Sequence, residues 1–289
     1  MASTAAADQG GTTRVGDLPQ ACLAHAIALT TPRDACRCAA VSPTFRAAAD
    51  SGHVWRRFLP EDLGLQSLSK TTSTSKEAYL RLCDGSNAVP INGDGGCRVW
   101  LERASGAKCY ALSARRLSLP WDDGEFSWRW TPHSLSRFSE VAELVTCTSL
   151  DIYGRLPAAA ALTPSTPYAA YLVYDTAEGH RGLSYPDQET AVAVSGRVVA
   201  RHAVCLRPDD AESCKFRGGT VGGGEGTRRP EQRKDGWWEM EIGRLYTSAA
   251  RDGEQEVVAS FEVLGWYPKR GLIIEGIEFR PVYTSNKNS

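Results

Sequence analysis

The first sixty residues carry the strongest constraint on fold. A capping residue stands ahead of a proline three times: Asp17 before Leu18-Pro19, Thr31 before Pro32 and Ser42 before Pro43. Asp, Thr and Ser side chains accept from the free N–H groups of a first helical turn. A proline in that turn gives up only a donor that would have had no partner. Three such starts so close together dictate short helices joined by tight turns. Apolar residues follow each start at helical spacing: Leu23, Ala26, Ile27 and Leu29, then Ala35, Cys38 and Ala39, then Phe45, Ala48 and Ala49. Trp55, Phe58 and Leu59 close the run before Pro60. So little chain buries a thin core and leans on a partner. Leu18 and Ile27 are expected at the surface, as a docking patch.

After this unit the pattern changes. Residues 61–75 are polar and Ser/Thr-rich, and Lys76–Asp84 reads as one short helix. Asn92-Gly-Asp-Gly-Gly96 is a turn signal. From Cys97 the period becomes two. Trp238–Ile242 alternates apolar and acidic residues, as a strand with one wet face must, and Tyr168–Tyr174 and Val257–Val263 are further strands. Over Leu272–Phe279 two alternations disagree across Gly276. A bulge there puts Leu272, Ile274, Ile277 and Phe279 on one face. Many short strands broken by Gly, Pro, Asn and Asp predict an antiparallel sandwich. The expected organisation is α+β and multidomain: a disordered tail over 1–16, a small all-α unit over 17–60, a linker with a short helix over 61–96, and the β-sandwich over 97–283.

Several function classes are excluded by composition. A net charge of -1 offers no basic footprint for nucleic acid or a membrane surface. No apolar run is long enough to cross a bilayer, and residues 1–16 lack the charged start and apolar core of a secretory signal. The nine cysteines are odd in number and scattered, and Cys36-x-Cys38 lacks the companions of a zinc site. They are read mostly as buried small side chains in a reducing compartment, the nucleus or cytoplasm. No metal and no cofactor is expected. The glycines of 218–226 lack the Gly-Lys-Ser/Thr ending of a phosphate loop and read as a surface loop. His25, His53, His133, His180 and His202 lie in no nucleophile or metal motif, so no catalytic residue is assigned.

The string Leu18-Pro-Gln-Ala-Cys-Leu23, Thr31-Pro-Arg-Asp-Ala-Cys36-Arg, Val41-Ser-Pro-Thr-Phe45-Arg and Val54-Trp55-Arg-Arg-Phe58-Leu59-Pro60 resembles the F-box of plant F-box proteins. The branch it is most similar to joins the F-box to a phloem protein 2-like domain. In that family the F-box clamps the Skp adaptor, which bridges to a cullin scaffold of a ubiquitin ligase. The resemblance implies adaptor contacts at Leu18, Pro19, Leu23, Ile27 and Pro32.

A second resemblance covers 97–283. Trp100-Leu-Glu-Arg, Gly106–Tyr110, Leu112–Arg115, Arg137–Leu144, Tyr168–Val173, Arg233–Trp237 and Gly271–Pro281 look like the phloem protein 2-like domain. That domain is shared with tobacco-agglutinin-like lectins, jelly-roll-like β-sandwiches that recognise N-acetylglucosamine oligomers and N-glycans. A sugar needs a flat apolar partner beside carboxylate acceptors, which the Trp-rich run 119–130 with its Asp-Asp-Gly turn supplies. The resemblance implies stacking on Trp121 and Trp128, with Glu262 as one acidic partner. The other is Glu254 if one residue is inserted here, or Gln255 if none is. Pro120 and Ser149 depart from the family pattern, Pro120 being placed to re-aim Trp121 and Ser149 to alter packing. Trp130 alternates with Trp128 and is expected to fill the core.

The leading expectation is a non-catalytic target-recognition subunit of a Skp–cullin–F-box ubiquitin ligase whose sandwich binds an N-glycosylated or N-acetylglucosamine-bearing protein. Two rivals stand beside it: a sandwich that binds protein without sugar, and a lectin-type protein outside any ligase.

Overall fold

The computed structural model describes residues 15, 18–61, 74–91, 93, 95–120, 127–185, 187–209, 227–248 and 255–283. It divides into two compact units, Met1–Arg81 with Arg103–Gly106, and Leu82–Glu102 with Ala107–Ser289.

The first unit is helical: α1 (Gln20–Ala28), α2 (Pro32–Ala39), α3 (Pro43–Ala49), α4 (Gly52–Phe58) and most of α5 (Ser75–Leu82). Two of the three starts form as expected. The Thr31 hydroxyl accepts from the Asp34 N–H at 3.2 Å, and the Ser42 hydroxyl from the Phe45 N–H at 3.2 Å. The first differs. Pro19 itself occupies the N-cap of α1, with no side-chain cap bond, and its carbonyl takes the first helical bonds from Cys22 and Leu23. Asp17 lies outside the described residues.

Small side chains let these helices approach closely. Ala35, Ala48, Ala49 and Val54 are fully buried with Leu23, Ile27 and Trp55. The Trp55 indole N–H donates to the Ala49 carbonyl at 2.9 Å, and its ring meets Phe58 and Tyr79 at 5.7 and 5.3 Å between centroids. Residues 103–106 complete this unit. The Tyr79 hydroxyl donates to the Arg103 carbonyl at 3.1 Å, and the Arg33 N–H to the Ala104 carbonyl at 3.0 Å.

The second unit is an antiparallel two-sheet β-sandwich, in agreement with the fold class read from the sequence. Its strands are β1 (Val89–Ile91), β2 (Cys97–Leu101), β3 (Lys108–Ser113), β4 (Leu117–Ser118), β5 (Trp128–Thr131), β6 (Val141–Leu144), β7 (Leu150–Pro157), β8 (Pro167–Arg181), β9 (Gln188–Val194), β10 (Arg197–Val204), β11 (Glu231–Gln232), β12 (Trp238–Tyr246), β13 (Glu256–Val263) and β14 (Arg270–Pro281). A one-turn helix, α6 (Ala158–Ala161), follows β7. The larger sheet runs β1-β2-β3-β14-β8-β12-β11, with β6 and β5 attached to β14. The smaller runs β10-β9-β13-β7-β4.

The expected bulge is present: the pairing of β14 with β8 shifts between Ile274 and Gly276, and Leu272, Ile274, Ile277 and Phe279 are all fully buried. Glycine is required at 276, because a Cβ there would sit 1.9 Å from the Leu112 carbonyl oxygen of β3. On the smaller sheet Val257, Ala259 and Phe261 of β13 and Leu150, Ile152 and Leu156 of β7 point inward. Alternation therefore sends Glu262 of β13, and Asp151 and Tyr153 of β7, to the outer face.

Both faces of β14 are covered, including the one that carries its acidic residues. Glu275 and Glu278 are each 1% exposed. The Arg137 guanidinium donates to Glu275 at 2.9 Å and also to Glu278, while its backbone N–H reaches Glu275 at 2.8 Å. Arg233 donates to Glu278 at 2.7 Å, and Arg280 to Glu239 at 2.8 Å. Nearby, the Trp237 indole N–H donates to the Leu135 carbonyl at 3.1 Å. Arg137, Arg233, Glu275, Glu278 and Arg280, drawn from three of the sequence blocks quoted above, thus form one buried ion cluster that pins segment 133–138.

Among the described residues no disulfide forms. Cys97, Cys109, Cys147 and Cys205 are buried, but Cys22 and Cys36 are exposed and Cys38 and Cys83 half-buried, so only half of these thiols are the core side chains expected. No helix of the described residues is long and apolar enough to cross a membrane.

Candidate functional site

The outer face of the smaller sheet carries a row of acidic side chains. Glu262 lies between Asp151 on β7 and Glu189 on β9, each directly opposite it in register. Three carboxylates in one cross-strand row repel one another. Two have partners: Arg201 donates to Glu189 at 2.7 Å, and the Tyr153 hydroxyl donates to Glu262 at 3.0 Å. Burial, with the adjoining Glu262 carboxylate, pushes the Tyr153 phenol up to about 12, so it stays a donor. Ser149, Asp151, Tyr153 and Glu262 line a groove of about 230 Å³, together with the turn after β13 that contains Trp266.

That turn is locked everywhere except at its tip. Lys269 has no solvent exposure, and its ammonium donates to the carbonyls of Thr148, Gly265 and Tyr267 at 2.9, 2.6 and 2.9 Å. The Tyr267 hydroxyl donates to Asp187 at 2.6 Å, and the Leu264 N–H to the Asp187 carbonyl at 2.9 Å. Gly265 is needed for this approach, since a Cβ would lie 2.1 Å from the Asp187 carboxylate. Trp266, between two anchored residues, is 81% exposed. The loop thus holds a large apolar side chain out in water beside the groove.

The site residues expected from sequence are placed unevenly. Glu262 lies in the groove, while Trp121 and Glu254 fall outside the described residues. Gln255 is half-buried. Trp128 is a correction: the residue is 2% exposed and its indole N–H donates to the Pro120 carbonyl at 2.8 Å, so it offers no face to a sugar. Trp130 is the converse correction, being half-buried with the Arg115 guanidinium 3.6 Å above its ring. Strand alternation placed the two tryptophans on opposite faces, but the inward phase belongs to Trp128. Trp266 was missed, because its exposure depends on the Lys269 contacts rather than on any local pattern.

In the helical unit Leu18 is 42% exposed and Pro19 is also at the surface. Leu23 and Ile27 are 2% and 4% exposed, on the inward side of α1, and Pro32 is buried beneath Gly106. These three hold the unit together and present nothing to a partner. Leu29, which helical spacing grouped with Leu23 and Ile27, is instead 69% exposed, and Val41, which the spacing did not single out, is 67% exposed.

The phloem protein 2 family model matches residues 107–281. Full-length relatives from Arabidopsis thaliana extend the match across both units. F-box protein PP2-B10 is 36% identical over 91% of this chain and 92% of its own, and F-box protein PP2-B15 is 36% identical over 91% and 96%. The chain belongs to the plant F-box proteins that carry a phloem protein 2 domain. F-box protein VBF, also from Arabidopsis thaliana, is 34% identical over 91% of this chain and 98% of its own. Among solved structures, the CBM22-1 xylan-binding domain from Paenibacillus barcinonensis Xyn10C matches with a TM-score of 0.30 and 9% identity, covering 60% of this chain and 90% of that one. At that level the likeness carries no weight for ligand or mechanism.

Proposed function

We propose that this F-box protein is the target-recognition subunit of a Skp–cullin–F-box ubiquitin ligase, acting in the nucleus and cytoplasm. The helical unit docks the Skp adaptor, and through it the cullin. The outer-face groove of the sandwich captures a glycan-bearing protein. The supporting observation is the pairing of a rigidly mounted, exposed indole at Trp266 with the acceptors Asp151 and Glu262 in one groove. An apolar ring face beside carboxylate oxygens complements a sugar, whose C–H face is apolar and whose hydroxyls donate. In this reading the chain is a non-catalytic receptor, and the ubiquitin chemistry belongs to the other subunits.

On the helical side, exposed Leu18, Pro19, Leu29 and Val41 replace Leu23, Ile27 and Pro32 as the adaptor surface. Co-purification with a plant Skp adaptor tests this reading. Leu18→Asp is expected to abolish association without loss of fold, whereas Ile27→Asp unfolds the helical unit. Failure of the wild-type chain to associate rules out the ligase role. A glycan array tests the sandwich, and a blank array for a folded wild-type chain leaves protein recognition in its place.

A further inference from the structure

The groove's charge and its fixed indole say more about the ligand, given the glycan-binding reading on which this inference rests. Asp151 and Glu262 are neighbours in register. The guanidinium groups nearest in the strand ladder are already engaged, Arg201 with Glu189 and Arg155 with Glu256. Lys269 is buried among carbonyls and does not reach the surface. Tyr153 supplies Glu262 with one neutral hydrogen bond. The surface beside Trp266 is therefore anionic. An acidic sugar brought there meets like charge, whereas an ammonium group makes charge-assisted hydrogen bonds.

We propose that Trp266 is the aromatic platform of the groove and that the sugar it stacks is a hexosamine with a free amine, the ammonium lying over Asp151 and Glu262. Lys269 is the positioning residue, holding the carbonyls on both sides of Trp266 so that the indole is set before the ligand arrives. At 81% exposure the indole contributes little to folding, so Trp266 is free to serve recognition.

The test is titration calorimetry of the full chain with three probes: a glucosamine tetramer, an N-acetylglucosamine tetramer and a galacturonate tetramer. The glucosamine tetramer is expected to bind about tenfold more tightly than the N-acetyl form, with an advantage that shrinks as salt rises. The galacturonate tetramer is expected not to bind. Trp266→Ala should weaken the glucosamine tetramer about tenfold at unchanged melting temperature, with Trp266→Phe recovering part of the loss. Glu262→Gln should weaken both forms, the glucosamine tetramer far more than the N-acetyl one, so that the preference for the amine is lost. Wild-type affinity in Trp266→Ala, or equal or tighter binding of the N-acetyl or acidic tetramer, overturns the inference while leaving glycan binding standing. No binding of any tetramer by the wild-type chain overturns the inference together with the glycan reading beneath it.

Discussion

Replacing Arg137 by methionine tests the buried ion cluster. Arg137 is the guanidinium shared by Glu275 and Glu278, both 1% exposed. Without it Glu278 keeps Arg233 at 2.7 Å and Arg280 at 3.6 Å. Among the described residues, Glu275 keeps only the backbone N–H of residue 137 and the Ser136 hydroxyl. A buried carboxylate stripped of its cation costs about 3–5 kcal/mol, and methionine leaves the volume nearly filled. At roughly 2–4 °C per kcal/mol for a domain of this size, the melting temperature falls by about 10 °C.

The pH dependence follows from Glu278. Burial raises its pKa, but Arg137, Arg233 and Arg280 together outweigh that and hold it below its ordinary 4.5. A depressed carboxyl stabilises the fold above the unfolded value, and that contribution is lost as pH falls through the lower folded value. The wild-type chain therefore loses stability on acidification below about pH 4.5 more steeply than Arg137→Met. Urea unfolding at pH 7 and pH 4 measures both effects. A loss under about 1 kcal/mol at pH 7, or parallel acid profiles, would refute a stabilising buried pair.

Other perturbations separate the remaining contributions. Lys269→Met leaves the Thr148, Gly265 and Tyr267 carbonyls without their shared donor; about 2–4 kcal/mol of destabilisation is expected by urea unfolding, with weaker saccharide binding by calorimetry. Gly276→Ala drives a Cβ into the Leu112 backbone and should cost about 3 kcal/mol or more, read as loss of soluble protein or a large fall in melting temperature. Thr31→Ala and Ser42→Ala each remove one helix cap and should each cost about 1 kcal/mol by thermal unfolding.

Much of the fold was legible because it is local. The caps at Thr31 and Ser42 satisfy donors three residues away, and the bulge at Gly276 shows where two alternations fall out of phase. Phase relative to the core was less legible. Period two separates Trp128 from Trp130 without saying which faces inward, and helical spacing groups Leu23 with Ile27 without revealing that both are covered. Glu275 and Glu278 alternate with apolar residues as solvent-facing acids do. Only the arrival of Arg137 and Arg233, far away in sequence, lets them be buried. Trp266 is the same kind of case. The Gly265-Trp266-Tyr267 turn has no periodicity, and its rigidity comes from a lysine that gathers a carbonyl from Thr148 as well as from its own loop.

The most direct test of the groove is hydroxyl-radical footprinting of the full chain with mass-spectrometric readout, with and without saturating saccharide found by calorimetry to bind. Trp266, 81% exposed, should label strongly in the free chain and lose most of that labelling when the saccharide is bound, while half-buried Trp130 changes little. Unchanged labelling of Trp266 at saturation would place the saccharide elsewhere and contradict the assignment of this groove.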